Sequence, residues 1–276
     1  MIFVGRLNGK VVLITGAGHG QGRSHAIRMA EEGADLILLD VCETVSDRVG
    51  YPMANKDELN ETASLVHSAG RRSVVRVADV RDVEALKEAV DGGLEAFGHI
   101  DVACANAGLI SYGLGWELTE EDWETIIDVN LRGVWNTMRA VVPPMIAARS
   151  GSIICTSSAA GLRGMGSMSH YSAAKFGVVG LAKSFAIELA DHNVRVNVVH
   201  PTGVKSFMTE SDDPFAAALF ERYPDLVIPT GINLMRTDGF IDPVDVSNAM
   251  VWLASDEARF VTGIQLPVDA GYSTKP

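Results

Sequence analysis

The sequence predicts an α/β fold, a single domain built on a doubly wound seven-stranded parallel sheet with helices on both faces. Three observations carry this expectation. Short apolar runs of strand length alternate with helical patterns from end to end. The first apolar run feeds directly into a glycine-rich turn and then a helix. No linker, repeat or low-complexity segment divides the 276 residues, so one domain over 1–276 accounts for the chain. A chain of this length can bury about three quarters of its unfolded surface.

The apolar run 11–15 predicts a buried strand, followed by Gly16, Gly18, Gly20 and Gly22 with His19 and Gln21 between them. A helix is expected over 23–32, closed by Gly33, and a second strand over 36–39 ending at Asp40. Strand, glycine turn, helix, strand and acid in that order point to dinucleotide binding. Glycines let the backbone approach a pyrophosphate, and a helix N-terminus receives its charge. Asp40 stands 18 residues beyond Gly22, where a carboxylate can take both ribose hydroxyls of NAD. A 2′-phosphate beside Asp40 would be a like-charge pair, which favours NAD over NADP, although Arg23 and Arg48 could soften the repulsion. His19 either touches a phosphate or faces solvent.

Segment 41–60 carries Gly50, Pro52 and Asn55 and is too irregular for a clean helix. It reads as an insertion near the adenosine end, since connections in such sheets are usually short. Asp57 starts a helix that ends near Gly70, and a third strand covers 73–77. Asp79 and Val80 follow it. Asp79 either accepts from an adenine amino group or is an ordinary turn aspartate.

A fourth strand over 100–105 runs into Asn106, Ala107 and Gly108, small residues that permit close approach to a flat ligand. Thr119 caps the next helix, with Asp122 three residues on as a weaker capping box. The helical pattern continues through Asn130 and Gly133 towards Ala148. Both residues are poor helix formers, so they mark either a kink holding a water or an accident of packing.

The fifth strand, 152–156, places Ser157 and Ser158 just past its carboxyl end, where open α/β sheets hold their sites. A helix over 171–190 follows, with Phe176, Val179, Leu181, Phe185 and Leu189 broadly at helical spacing. Tyr171 and Lys175 are four apart and share one face. An ammonium there is expected to lower the phenol pKa, allowing proton exchange with an alcohol or carbonyl oxygen. Taken alone, the pair equally describes a buried tyrosine and a solvated lysine.

The sixth strand, 194–199, leads into Pro201, Gly203, Val204 and Ser206. Segment 205–239 is long, poor in regular pattern and rich in apolar residues, among them Phe207, Phe215, Phe220 and Ile232. It is either a substrate lid or a helical pair covering the core. A last helix over 242–253 and a seventh strand over 264–268 complete the pattern.

The net charge of -12, with no basic run, argues against nucleic acid or an anionic membrane as a partner. Cys42, Cys104 and Cys155 are widely spaced, with no metal-binding pattern, and fit a reducing, cytoplasmic compartment. No signal peptide and no stretch of 18 apolar residues is present.

Taken together, these motifs resemble the short-chain dehydrogenase/reductase family over about residues 7–271. Thr15, Gly16, Gly20 and Gly22 match its glycine motif, and Asn106-Ala107-Gly108 its Asn-Ala-Gly element. Asn130, Ser158, Tyr171 and Lys175 fall on its catalytic set; Ser158 stands thirteen residues before Tyr171, as the family pattern has it. Pro201 and Gly203 match the nicotinamide-side element, with Thr202 interposed.

The resemblance implies a Rossmann fold, NAD as cofactor, and hydride transfer to or from a small-molecule alcohol or ketone. Tyr171 would take the hydroxyl proton, Ser158 hold the substrate oxygen, Lys175 also grip the nicotinamide ribose, and Asn130 hold a water. Val204 would offer its backbone to the carboxamide, with Ser206 near a phosphate or amide. The expected walls are Ala159, Gly161, Met165, Gly166 and Met168 plus parts of the lid, with Trp116 either reaching in or serving core or interface. Such walls favour an apolar, terpene-like alcohol.

Gly20 to His25, the insertion and His200 to Val204 further resemble the mycofactocin-coupled, carveol-dehydrogenase-like branch. That likeness implies tightly held NAD reoxidised in place by mycofactocin. The alternatives are an ordinary member exchanging NAD freely and a non-catalytic NAD-binding protein. Family likeness also implies a homotetramer formed through helices near 118–149 and 171–192.

Overall fold

The computed structural model describes residues 5–210, 212–226, 233–235, 237 and 239–274. Seven parallel strands form a single sheet: β1 (Val11–Thr15), β2 (Asp35–Asp40), β3 (Ser73–Val77), β4 (Val102–Ala105), β5 (Gly151–Thr156), β6 (Val194–Pro201) and β7 (Gln265–Val268). Their spatial order is β3-β2-β1-β4-β5-β6-β7. β1 and β2 are buried at every position, which is why they read as unbroken apolar runs rather than alternating ones.

Helices α1 (Gly20–Glu31), α2 (Lys56–Ser68) and α9 (Pro243–Ala254) flank the sheet with the core around Leu36, Leu38, Met29 and Met250. Helices α3 (Val83–Phe97), α5 (Gly133–Ala148) and α6 (Ser169–Leu189) accompany the opposite core around Leu13, Ile37, Met138 and Val178. The domain is a Rossmann-like α/β fold with helices on both faces.

The chain order reverses between β1 and β4, which pair directly with Val12 beside Val102 and Ile14 beside Cys104. Crossovers leave these two strands in opposite directions, so a crevice opens beyond their carboxyl ends. The glycine turn after β1 and Asn106-Ala107-Gly108 after β4 meet there.

Several boundaries differ from the sequence expectation. α1 begins at Gly20 instead of 23, because the glycine turn itself supplies the first helical turn. α2 begins at Lys56, since the Asn55 side chain accepts from the Asp57 and Glu58 amides at 2.9 and 3.0 Å. The insertion therefore ends at Asn55. β4 starts at Val102, and α6 starts at Ser169.

The long helical pattern after Thr119 is two helices, α4 (Glu120–Ile127) and α5, joined by a π-turn over Asp128–Arg132. Thr119 forms its capping box with Asp122. Segment 205–239 holds two short helices, α7 (Phe207–Glu210) and α8 (Pro214–Arg222), neither with a buried residue. They do not cover the core. Ile232 lies outside the described residues.

Among the described residues, no helix is long and apolar enough to cross a membrane. None of their His, Cys, Asp and Glu side chains form a group of three or more that could hold a metal.

Candidate active site

Two cavities meet along the crevice. One, of about 330 Å³, is lined by Ser158, Tyr171, Lys175 and Asn130, by Pro201 to Val204, and by Phe220 of α8. The other, of about 130 Å³, is lined by Gly16, His19, Gly20 and Gly22, by Asp40, and by Asp79 and Val80. Gln21, Asn106, Gly108, Ser206 and Met208 line both, so the cavities form one cleft.

The phosphate end is built by backbone packing. Gly16 has φ +70, and a Cβ there would lie 3.0 Å from the Ala107 Cα. A Cβ on Gly22 would collide with the Gly16 carbonyl, which lets α1 start tightly against the turn. Thr15 ties the two strand ends together: its Oγ1 accepts from the Asn106 and Ala107 amides at 3.0 and 3.1 Å.

The first turn of α1 carries no acid, and its N-cap residue His19 makes no capping hydrogen bond. The helix N-terminus is thus a positive dipole end with amides unclaimed by a cap, suited to a phosphate. His19 Nδ1 and Gln21 Oε1 are buried without hydrogen-bond partners beside it. Burial lowers the His19 pKa, so its ring stays neutral near pH 7. That ring lies 5.2 Å from the ring of Phe207, with its Nδ1 3.9 Å from the Glu58 carboxylate.

At the far end Asp40 is buried, its Oδ2 accepting from the Gly18 amide at 2.9 Å and its Oδ1 from the Cys42 amide at 3.3 Å. Gly18 lines neither cavity; it orients Asp40. The two arginines that could have offset this carboxylate pair elsewhere. Arg23 pairs with Glu61 at 2.7 Å, and Arg48 with Asp122 at 3.0 Å. Asp79 is a turn aspartate, its Oδ2 accepting from Arg81 Nη2 at 2.6 Å, and it still lines the cavity. Val41, Val45, Tyr51 and Met53 of the insertion form the outer wall here. This donor set fits a dinucleotide: helix amides for the phosphates, a buried acid without an arginine partner for ribose hydroxyls, and apolar walls for a base.

At the reactive end, the π-turn is braced by Asn130. Its Nδ2 donates to the Leu109 and Ile126 carbonyls at 3.0 and 2.9 Å, and its Oδ1 accepts from the Leu109 amide at 3.2 Å. The poor helix formers thus mark a real change of helical pitch rather than a packing accident. Gly108 lies between Asn130 and Lys175; a Cβ there would be 2.8 Å from Asn130 Oδ1 and 3.3 Å from Lys175 Nζ.

Lys175 is buried and donates to the Thr156 carbonyl at 3.0 Å, and burial pushes its ammonium down to about 8. Its Nζ stands 5.4 Å from the Tyr171 ring centre. Burial pushes the Tyr171 phenol up, against a downward pull from its hydrogen bond with Ser158. This corrects the expected lowering by Lys175: at this separation desolvation outweighs the ammonium. Ser157 and Ser158 are separated by direction. Ser157 Oγ donates to the Lys175 carbonyl at 2.9 Å and serves packing, whereas Ser158 meets Tyr171.

Ala159, Met165 and Met168 line the larger cavity, while Gly161 and Gly166 do not. Gly161 instead allows close packing against Ser157 and the Lys175 backbone. Trp116 is 80% exposed and lines neither cavity. The sequence reading missed Tyr51, Tyr112 and Asp213 as lining residues; only their place in the irregular segments hinted at them.

Comparison with known proteins agrees with this geometry. Residues 10–216 match the family described as short chain dehydrogenase. The (-)-trans-carveol dehydrogenase of Rhodococcus erythropolis is 48% identical, over 98% of this chain and 99% of its own. The crystal structure of a carveol dehydrogenase from Mycobacterium avium in complex with NAD is 43% identical, covers 98% of this chain and 100% of its own, and has a TM-score of 0.91. A short chain dehydrogenase from Mycobacterium paratuberculosis, bound to NAD, is 42% identical with the same coverage and a TM-score of 0.93. The chain therefore belongs to the short-chain dehydrogenase family, among relatives that include carveol dehydrogenases.

Proposed function

We propose that this chain is an NAD-dependent oxidoreductase that transfers hydride between a secondary alcohol, apolar and terpene-like, and nicotinamide. The observation that carries the reading is the meeting of Ser158, Tyr171 and Lys175 in a cavity continuous with the glycine turn and Asp40. The relatives named for carveol oxidation or solved with NAD support it. NAD, when bound, supplies the hydride acceptor.

The residues of the chain position, polarise and move the proton. Tyr171 Oη takes the hydroxyl proton, and Ser158 hydrogen-bonds the same oxygen. Because burial raises the phenol, Lys175 is needed to favour its ionised form. Asn130 holds the turn after β4 against Lys175. The glycine turn receives the phosphates, Asp40 takes the ribose hydroxyls, and Asp79 and Val80 flank the base. Asn106 to Gly108 back the cleft, and Pro201, Gly203, Val204 and Ser206 flank the nicotinamide.

A finer reading holds that the NAD is retained between turnovers and reoxidised in place by mycofactocin. The insertion over the smaller cavity supports it: the Tyr51 hydroxyl accepts from the Ile110 amide at 3.0 Å, closing the outer wall. Segment 205–239 acts as the substrate lid, and the partly exposed Trp123, Trp135 and Phe176 suit a homotetramer.

Mass and absorbance analysis of purified protein after long dialysis tests retention. An alcohol panel with free NAD, then with an artificial acceptor, tests chemistry. Retained dinucleotide with turnover only on the acceptor supports the coupled reading, and brisk turnover on free NAD alone overturns it. No oxidation of any alcohol under either condition sinks the enzyme.

A further inference from the structure

The end of β6 carries a buried histidine that the hydride chemistry does not use. β5 and β6 pair as far as Thr156 beside Val199, and the Ser157 amide still donates to the Val199 carbonyl at 2.9 Å. The next donor from β6 would be the amide of residue 201, but Pro201 has no N–H, so the ladder stops there. Ser158 therefore lies just beyond the main-chain pairing that fixes β5. The residue before Pro201 supplies what the ladder lacks. His200 is fully buried, and its Nδ1 stands 2.7 Å from the Ser158 carbonyl oxygen. That carbonyl also accepts from the Gly161 amide at 2.8 Å, and Ser158 Oγ accepts from the Ala160 amide at 3.1 Å.

A carbonyl oxygen only accepts, so Nδ1 carries the proton and Nε2 the lone pair. Among the described residues Nε2 is buried without a hydrogen-bond partner, so the ring spends its polar character on Ser158. Burial holds the His200 pKa below its ordinary value; Lys175 pulls it further down and Asp269 pulls it up, and the ring is neutral near pH 7. Packing alone needs no donor here. An apolar side chain would fill the end of β6 without leaving a buried nitrogen unpaired. Resting on the dehydrogenase reading above, we propose that His200 is a positioning residue for the hydride step, its Nδ1–H holding the Ser158 main chain so that the serine hydroxyl stays on the Tyr171 phenol and the substrate oxygen. Without that donor Ser158 is held less firmly, and Tyr171 loses the downward pull that the serine exerts on its raised phenol.

The test compares wild type with His200→Leu, His200→Phe and His200→Asn. Leucine and phenylalanine fill the site without a donor, whereas asparagine carries an amide nitrogen at the same place along the side chain as Nδ1. Calorimetry gives the Tm and the NAD affinity of each protein, and carveol oxidation with NAD and an artificial acceptor gives kcat and kcat/KM from neutral to alkaline pH. The two donorless variants should bind NAD as wild type does and lose about 10–100-fold in kcat and kcat/KM alike. The alkaline rise of kcat, which follows ionisation of Tyr171, should move up by about one pH unit. Besides Ser158, the titratable groups around Tyr171 are Lys175, Tyr51 and Tyr112, and none of them is altered. His200→Asn should recover most of the rate and most of the shift. A merely structural role would lower Tm and leave the pH profile in place, or would let phenylalanine substitute better than asparagine; either result overturns the inference. So does failure of both donorless variants to fold, which would make the contact a condition of the fold. If wild type oxidises neither carveol nor any other alcohol of the panel, the dehydrogenase reading itself falls, and the role of His200 with it.

Discussion

Asn130→Ala should be among the most damaging single changes available outside the reacting groups. The side chain is fully buried and makes three hydrogen bonds to main-chain atoms. Truncation leaves the Leu109 amide and the Leu109 and Ile126 carbonyls without these side-chain partners. At about 1 kcal/mol for each lost bond, the loss is roughly 3 kcal/mol. A domain of this size loses about 2–4 °C in Tm per kcal/mol, so a drop of about 6–12 °C is expected. Differential scanning calorimetry of the dinucleotide-free protein measures it.

Asn130→Asp sharpens the test. A carboxylate can still accept from Leu109 but cannot donate to two carbonyls, and it adds a buried charge. It should be at least as destabilising as alanine. A Tm within about 2 °C of wild type for either variant would refute the claim that this side chain braces the π-turn.

Three further outcomes follow from the same structure. Tyr171→Phe should retain dinucleotide affinity by calorimetry while turnover falls about 10²–10⁴-fold; near-normal turnover would remove the phenol from the reaction. Asp40→Asn should raise the NADP-to-NAD affinity ratio about 10-fold or more in fluorescence titrations, since it deletes a like charge facing a 2′-phosphate; an unchanged ratio would show that Asp40 does not face that position. Buried His25 and His170 are pushed down from 6.5 to about 3 and about 4. The unfolded chain then binds more protons than the folded one below pH 6.5, so stability falls as pH drops towards 4, by about 2 kcal/mol per ring at pH 5. Glu32, held down at about 2 by Arg6, loses its contribution only below its ordinary 4.5. A Tm equal at pH 7 and pH 5 would therefore count against the two rings.

Much of this molecule was legible in the sequence because its information is local. Runs such as 36–39 are apolar throughout because the strands they form are covered on both faces. Tyr171 and Lys175 share a helix face by spacing alone. The unread remainder depends on distant partners. Gly50 meets Asp213, and Tyr51 meets Ile110, across separations that no periodicity encodes. The direction of the Tyr171 shift was misjudged for a related reason. A neighbouring charge is visible in a sequence, whereas the depth at which both groups are buried is not. Arg23 and Arg48 looked available to Asp40 until Glu61 and Asp122 were found to hold them.

Arg48 has one more consequence. It pairs with Asp122 at the start of α4, and its guanidinium lies 4.3 Å from the centre of the Phe215 ring on α8. One side chain from the insertion thus clasps α8, whose Ala216 and Phe220 line the larger cavity. On the proposed function the two coverings cannot open independently: product departure tugs at Phe215, and freeing the dinucleotide means unfastening Arg48 as well. Loosening of the insertion would then be felt at α8, and loosening of α8 at the insertion.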